Sequence, residues 1–247
     1  MTAPRRVLLE PAFLLHQRDW RDSSRIIEFL TRDHGRVALF AKGVRRPGRA
    51  LGALLQPFVP LLVSWSGPGD GGTFTGVELA ASPRSPAACC LMSGFYLNEL
   101  VLKLLGREDP HPDVFEAYAQ ALAGLVEPAD EHRALRLFEK RLLEAIGVGI
   151  DYAHLADGGT RVDPDRYYHV DPQRGVASAA VDAGQPGACR GAELLSLAGE
   201  ELADGASLAA ARRLLGQGLA AALDGLELSS RRVAQAIRSR RAGTEEP

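Results

Sequence analysis

The first third of the chain alternates short apolar runs with polar or glycine-rich breaks, the pattern of strands and turns. The run RVLLEPAFLLHQ, broken once by Pro11, is followed by the polar turn RDWRDS. Next come RIIEFLT and GRVALFAKGV, separated by Arg32, Asp33 and His34 before Gly35. Two β-rich runs joined by so short a glycine-containing connection predict a hairpin. The basic stretch RRPGRALG then precedes LQPFVPLLVSW, and the turn SGPGDGG leads into TFTGVELAAS. Five strands result, and closing them into a small barrel removes the exposed edges that five short strands would otherwise present.

The period changes at Ser82–Pro86. From Ser93 onward Leu97, Leu100, Val101 and Leu104 share one face, as in a helix. A second helix is expected over about 112–126. A third follows Asp130 and Glu131, with Leu135, Phe138, Leu142 and Ile146 along its apolar stripe, and stops at Gly147 and Gly149. Residues at about 150–190 are rich in Gly, Pro and Asp and read as an irregular, loop-rich insert. Helical periodicity returns at about 191–203 and from Ser207. Ser229 or Ser230 is placed to cap a final helix. The predicted fold is α+β, with a five-stranded barrel over residues 1–82 and a mainly α-helical domain over 83–247.

Composition changes the picture through charge. The 247 residues sum to a net charge of −2, which argues against a nucleic-acid ligand until the chain is divided. Residues 1–60 carry eleven Lys/Arg against five Asp/Glu, a net of +6, whereas residues 61–247 carry eighteen against twenty-six, a net of −8. Such asymmetry implies regions with different partners. No apolar run approaches the ~20 residues that span a bilayer. Glu10 and Pro11 interrupt the one stretch that resembles an export signal. The cysteines, Cys89, Cys90 and Cys189, form no disulfide framework, so a reducing cytoplasm is expected.

Catalytic and metal motifs are weak. Gly67, Gly69 and Gly72 match a dinucleotide fingerprint in spacing, but the TFTGVEL that follows is strand-like, so a hairpin turn is expected. Gly187, Cys189 and Gly191 imitate a nucleophile elbow, yet a turn precedes them, and Cys189 reads as a loop thiol. His154 and His169 stand alone, and Asp163 and Asp165 read as a solvated turn. Neither a metal nor a cofactor is expected, and nothing argues for an enzyme.

The basic segment is more informative. Lys42, Arg45, Arg46 and Arg49 have no acid between them and follow a predicted strand. Guanidinium groups at a barrel rim can pair bidentately with phosphate oxygens and track a nucleic-acid backbone. Trp20, Phe40, Phe58, Trp65 and Phe74 are candidates to stack bases, although a barrel needs most such side chains inside. A second group, Arg133, Arg136 and Lys140, shares one face of the third helix. It either binds an acidic peptide or pairs with Glu139 and Glu144 as a solvated face. Arg231, Arg232, Arg238, Arg240 and Arg241 form a third group near the C-terminus.

These residues, in this order, resemble the RecO family of bacterial recombination mediators. The stretches VLLEPAFLLHQRDWRDSSRIIEFLTRDHGRVALFAKGVRR, LLQPFVPLLVSW, ALRLFEKRLLEAIGVGIDY and LSSRR carry the resemblance, most specifically from Thr31 to Arg46. It implies an N-terminal OB-fold barrel and a helical C-terminal domain. It further implies binding of single- and double-stranded DNA, strand annealing, and loading of RecA onto DNA coated by single-strand-binding protein. RecR is the implied partner, with the acidic, Phe-ending tail of single-strand-binding protein in some relatives. Lys42, Arg45 and Arg46 fall where the family's basic DNA-binding loop lies, and Arg136 where relatives contact that tail. Many relatives hold a four-cysteine zinc site in the insert. Here only Cys189 is present, so an insert held by packing alone is expected. The alternative is an interaction scaffold whose barrel touches no DNA.

Overall fold

A computed structural model of the protein describes residues 6–20, 24–43, 54–82, 85–230 and 232–233. Strands β1 (Arg6–Trp20), β2 (Ser24–Thr31), β3 (Gly35–Ala41), β4 (Pro60–Ser66) and β5 (Asp70–Leu79) close into a barrel in the order β1-β2-β3-β5-β4. The expected α+β architecture, with its closed N-terminal barrel, is therefore present. Alternation along β4 sends Leu61, Val63 and Trp65 inward, where they meet Leu14, Ile27, Phe29, Leu39 and Phe74. The parallel pairing of β3 with β5 closes the ring. The predicted hairpin joins β2 to β3, and Thr31 Oγ1 donates to the Gly35 carbonyl at 2.6 Å. Gly35 has φ +67°, and a Cβ there would collide with the Asp109 carbonyl, so both backbone and space require glycine. Gly67–Gly69 form the β4–β5 turn and Gly72 already lies in β5, as its strand-like sequel implied.

β1 is longer than its apolar run. It continues through Arg18 and Asp19 to Trp20, residues read from sequence as a turn. The pairs Arg18↔Ile26 and Trp20↔Ser24 satisfy the backbone there, and the outer face leaves polar side chains in water. Register shifts at Val7/Glu10 and Leu14/His16 bend the strand so that it pairs with β4 and β2.

Helices α1 (Leu91–Leu104) and α2 (Pro112–Gly124) cover part of the outer surface of the barrel. Phe13 points out of the barrel and meets Phe115 and Tyr118, with ring centroids 5.3 and 5.0 Å away. Asn98, buried on α1, donates to the Leu15 carbonyl at 2.9 Å and accepts the Tyr118 hydroxyl hydrogen bond. The connection between the helices is tied down by charge. Arg36 donates to the Leu102 carbonyl at 2.6 Å, and Arg107 reaches Glu28 at 2.9 Å and Asp70 at 3.1 Å. For this reason packing divides the chain differently from its sequence pattern, which changes at residue 82. One compact unit takes the described residues up to Pro128 with the segment from Leu228, and the other is Ala129–Glu227.

The second unit comprises α3 (Glu131–Ala145), an insert, α4 (Gly191–Ala198) and α5 (Gly205–Leu223), with α3 and α4 both packed on α5. The insert contains two two-stranded sheets: β6 (Tyr167–Tyr168) with β9 (Cys189–Arg190), and β7 (Val170–Asp171) with β8 (Gly175–Val176). Tyr152, Leu155, Val162, Tyr168 and Val176 are buried there, a small core in a segment whose composition reads as loop. The helix expected to reach residue 203 ends at Ala198, because Glu200 and Leu202 adopt left-handed backbone (φ +59° and +43°). Asp204 then caps α5 by accepting from the Ser207 N–H at 2.9 Å.

Asn98 is a buried polar link between β1 and the helices. Asn98→Ala removes a donor and an acceptor at a buried site, at a cost of about 2–4 kcal/mol. Urea denaturation followed by circular dichroism should show that loss in the midpoint of the barrel-containing unit.

Candidate nucleic-acid interface

Lys42 is exposed directly after β3. Arg45, Arg46 and Arg49 lie outside the described residues, as do Arg231, Arg238, Arg240 and Arg241 of the C-terminal group. The neighbouring barrel face is well defined. Register aligns Arg18 with Ile26 and Ile26 with Phe40 in one row across β1, β2 and β3. The next outward residue on β1 is Trp20, opposite Ser24. Interior positions between these rows belong to Ile27, Leu39 and Ala41. Arg18, Trp20, Phe40 and Lys42 therefore occupy the outer side of one barrel end.

The aromatic candidates separate cleanly. Trp65 and Phe74 are in the barrel interior, and Phe58 is buried with its ring 5.1 Å from Phe95. Trp20 is 42% exposed, and Phe40, half-buried, sits 6.2 Å from it in an edge-on arrangement. The cations separate too. Arg36 is committed to Leu102 and Glu28, and burial pulls its guanidinium below its ordinary pKa against the opposing pull of Glu28. Arg32 pairs with Asp33 at 2.9 Å. Arg25 pairs with Asp19 at 3.0 Å and so offsets the carboxylate next to Trp20 in the strand. Arg18 and Lys42 are exposed and make no ion pair with another described residue. The basic surplus of the first sixty residues is thus partly spent on folding, and the remainder on this face is concentrated beside Trp20.

On α3, Arg133, Arg136 and Lys140 share a face as expected, and each has an internal partner. Arg133 donates to the carbonyls of Glu200 and Glu201 at 2.7 and 2.9 Å. Arg136 bonds the buried Glu139 at 2.6 Å, while its own Nε is buried without a hydrogen-bond partner among the described residues. Lys140 reaches Glu144 at 2.9 Å and Glu200 at 3.2 Å. Arg141, which helical spacing did not single out, is the shortest contact of Glu200 at 2.6 Å. Its hydrogen bond, with that of Lys140, holds the Glu200 carboxyl below the usual carboxylate range. The left-handed turn at residue 200 delivers this glutamate, and no local sequence pattern announces it.

Among the described residues no group of three or more His, Cys, Asp or Glu could hold a metal ion. Cys189 is not the loop thiol its flanking turn suggested: it sits in β9, 1% exposed, and donates to Glu193 at 3.3 Å. Burial, with that hydrogen bond, pushes its thiol up to about 12. A four-thiolate site needs four cysteines and this segment has only Cys189, so the residues present do not fit the zinc site that the resemblance implies. His154 is not alone; it bonds Asp151 at 2.9 Å, and both are exposed. Of the three thiols only Cys89 is exposed. A thiol-reactive reagent at pH 8 should therefore label Cys89 rapidly, and Cys90 and Cys189 only after denaturant is added; fast labelling of Cys189 would contradict its burial.

A closed OB-type barrel with an exposed cationic and aromatic edge, followed by helices, defines a class of oligonucleotide- and oligosaccharide-binding proteins. The chain matches the family description "Recombination protein O N terminal" over residues 6–83 and "Recombination protein O C terminal" over residues 91–238. It is 40% identical over 228 residues to a protein of Methylococcus capsulatus named DNA repair protein RecO, covering 92% of this chain and 93% of that one. A protein of the same name from Alkalilimnicola ehrlichii is 42% identical over 243 residues (97% and 96%). One from Nitrosococcus oceani is 39% identical over 233 residues (94% and 95%). The chain belongs to the RecO family of DNA repair and recombination proteins. No helix among the described residues is long and apolar enough to cross a membrane.

Proposed function

We propose that the protein is a non-enzymatic mediator of DNA repair that binds single- and double-stranded DNA and promotes strand annealing. It helps load RecA onto DNA coated with single-strand-binding protein, acting in the cytoplasm at the nucleoid and using no cofactor. The observation that carries this reading is the exposed Lys42 at the end of β3, which opens a segment of four cations, Lys42, Arg45, Arg46 and Arg49, with no acid among them. Contacts from such a segment go to phosphates, which single strands and duplexes share, so both forms bind. Neutralising the phosphates of two strands also lowers the repulsion that opposes annealing. RecR is a protein partner. The acidic, Phe-ending tail of single-strand-binding protein is another, engaging α3 at Arg133, Arg136 and Lys140 in exchange for their internal carboxylates.

Anisotropy titration of labelled single strands and duplexes at two salt concentrations tests the DNA site. Lys42→Ala/Arg45→Ala/Arg46→Ala should weaken both ligands and reduce the salt slope for single strands by about 2, at about 0.7 per lost phosphate contact. Equal affinities for wild type and variant would refute the site. Absence of salt-sensitive DNA binding, with partner binding retained, would instead favour an interaction scaffold. For α3, Arg136→Gln keeps a hydrogen-bond donor near Glu139 while deleting the charge. Its affinity for an acidic peptide ending in Phe should fall about tenfold, the worth of one charge-assisted hydrogen bond, and an unchanged affinity would remove Arg136 from the site.

A further inference from the structure

We propose that Trp20, backed by Phe40, is a base-stacking platform that accepts only unpaired DNA, so that this barrel edge distinguishes single strands from duplexes. The inference rests on the DNA-binding reading above and adds to it the residue that discriminates between the two ligands.

Trp20 is the largest side chain exposed on the barrel, at 42%, although other positions bury the aromatics Trp65, Phe29 and Phe74 inside. Exposure of an indole leaves apolar area in water unless a ligand covers it. The chemistry around the ring specifies that ligand. Arg18 lies two residues back on the same outward side of β1, roughly 7 Å away along the strand. Lys42 follows β3 beyond Phe40, on the other side of β2. The adjacent acid, Asp19, is paired with Arg25 at 3.0 Å. An aromatic face with cations to either side matches a flat π-system joined to phosphates, which describes one nucleotide within a strand.

The edge-on contact with Phe40 at 6.2 Å places the indole against β3, so less side-chain freedom is lost when a base settles on it. Stacking needs a free base face. In a duplex each interior base is already covered above and below, so the platform is closed to it, whereas a single strand presents such faces at every nucleotide. The basic segment, reading only phosphate, binds both forms. The two parts of the interface therefore divide the work: charge supplies general affinity, and Trp20 supplies the preference for unpaired DNA.

The protein contains two tryptophans, Trp20 and the buried Trp65, so intrinsic fluorescence reports on Trp20 against a shielded background. The full chain is titrated with oligo(dT), with an abasic strand of equal length, and with a blunt duplex. Oligo(dT) should quench the emission, and the abasic strand and duplex should leave most of it. Trp20→Ala should bind oligo(dT) about 5- to 100-fold more weakly, as expected for loss of one stacked base. Its duplex affinity should stay within about twofold, and Trp20→Phe should recover most of the loss. Emission from Trp65 in the Ala variant checks that the barrel is intact. The inference is overturned if Trp20→Ala binds oligo(dT) like wild type, or if it weakens oligo(dT), abasic strand and duplex alike. Wild-type protein that binds no DNA at all would overturn the DNA-binding reading itself, a separate result from DNA binding that ignores Trp20.

Discussion

The fold of the first unit hangs on one strand that must serve four neighbours. β1 pairs with β4 along its first half and with β2 along its second, and its two bulges supply the bend that lets one strand do both. Inward, Ala12 and Leu14 fill the barrel. Outward, Phe13 and the carbonyl of Leu15 anchor α2 and α1 through Tyr118 and Asn98. Its last residue is Trp20. A slip of one position in its register would exchange the core and helix-facing sets and turn Trp20 inward.

Charge follows the same economy. Opposite charges within the barrel unit are drawn together where the α1–α2 connection crosses the sheet, with Arg36 and Arg107 around Glu28 and Asp70. Partners there offset desolvation, the requirement for any ionised group taken from water. At the other end of the barrel Arg18 and Lys42 are exposed and make no ion pair with another described residue, which leaves them available to a ligand. The second unit shows a parallel arrangement around Glu200, whose carboxylate gathers Lys140 and Arg141. The cationic face of α3 is accordingly a set of existing pairs that an acidic ligand must enter by exchange.

Much of this was legible residue by residue. The five strands followed from alternation and from turn glycines such as Gly35, because strand period and turn chemistry are local. The helices followed from their 3.6-residue stripes. The expected cationic sites were named by local clustering at Lys42 and along α3. Less legible were features in which distant segments meet. β1 reaches Trp20 because β2 supplies hydrogen bonds, not because its own residues favour a strand. The insert has a core although its composition is that of a loop. Cys189 is buried beside Glu193 although a turn precedes it, and Arg141 finds Glu200 through a left-handed turn far along the chain.

The amino-acid sequence by itself determined the family, the β-then-α order, the closed barrel and the basic segment beginning at Lys42, since each is written in short-range periodicity or in charge placed close along the chain. Only the tertiary structure decided which aromatics face water. Trp20 and Trp65 are the same type of side chain, as are Phe40, Phe58 and Phe74. Whether a ring lies inside the barrel, under a helix or at a ligand face depends on strand register and on what packs against the strand. Those are properties of pairings between residues far apart in sequence, and they leave Trp20 as the large aromatic exposed on the barrel.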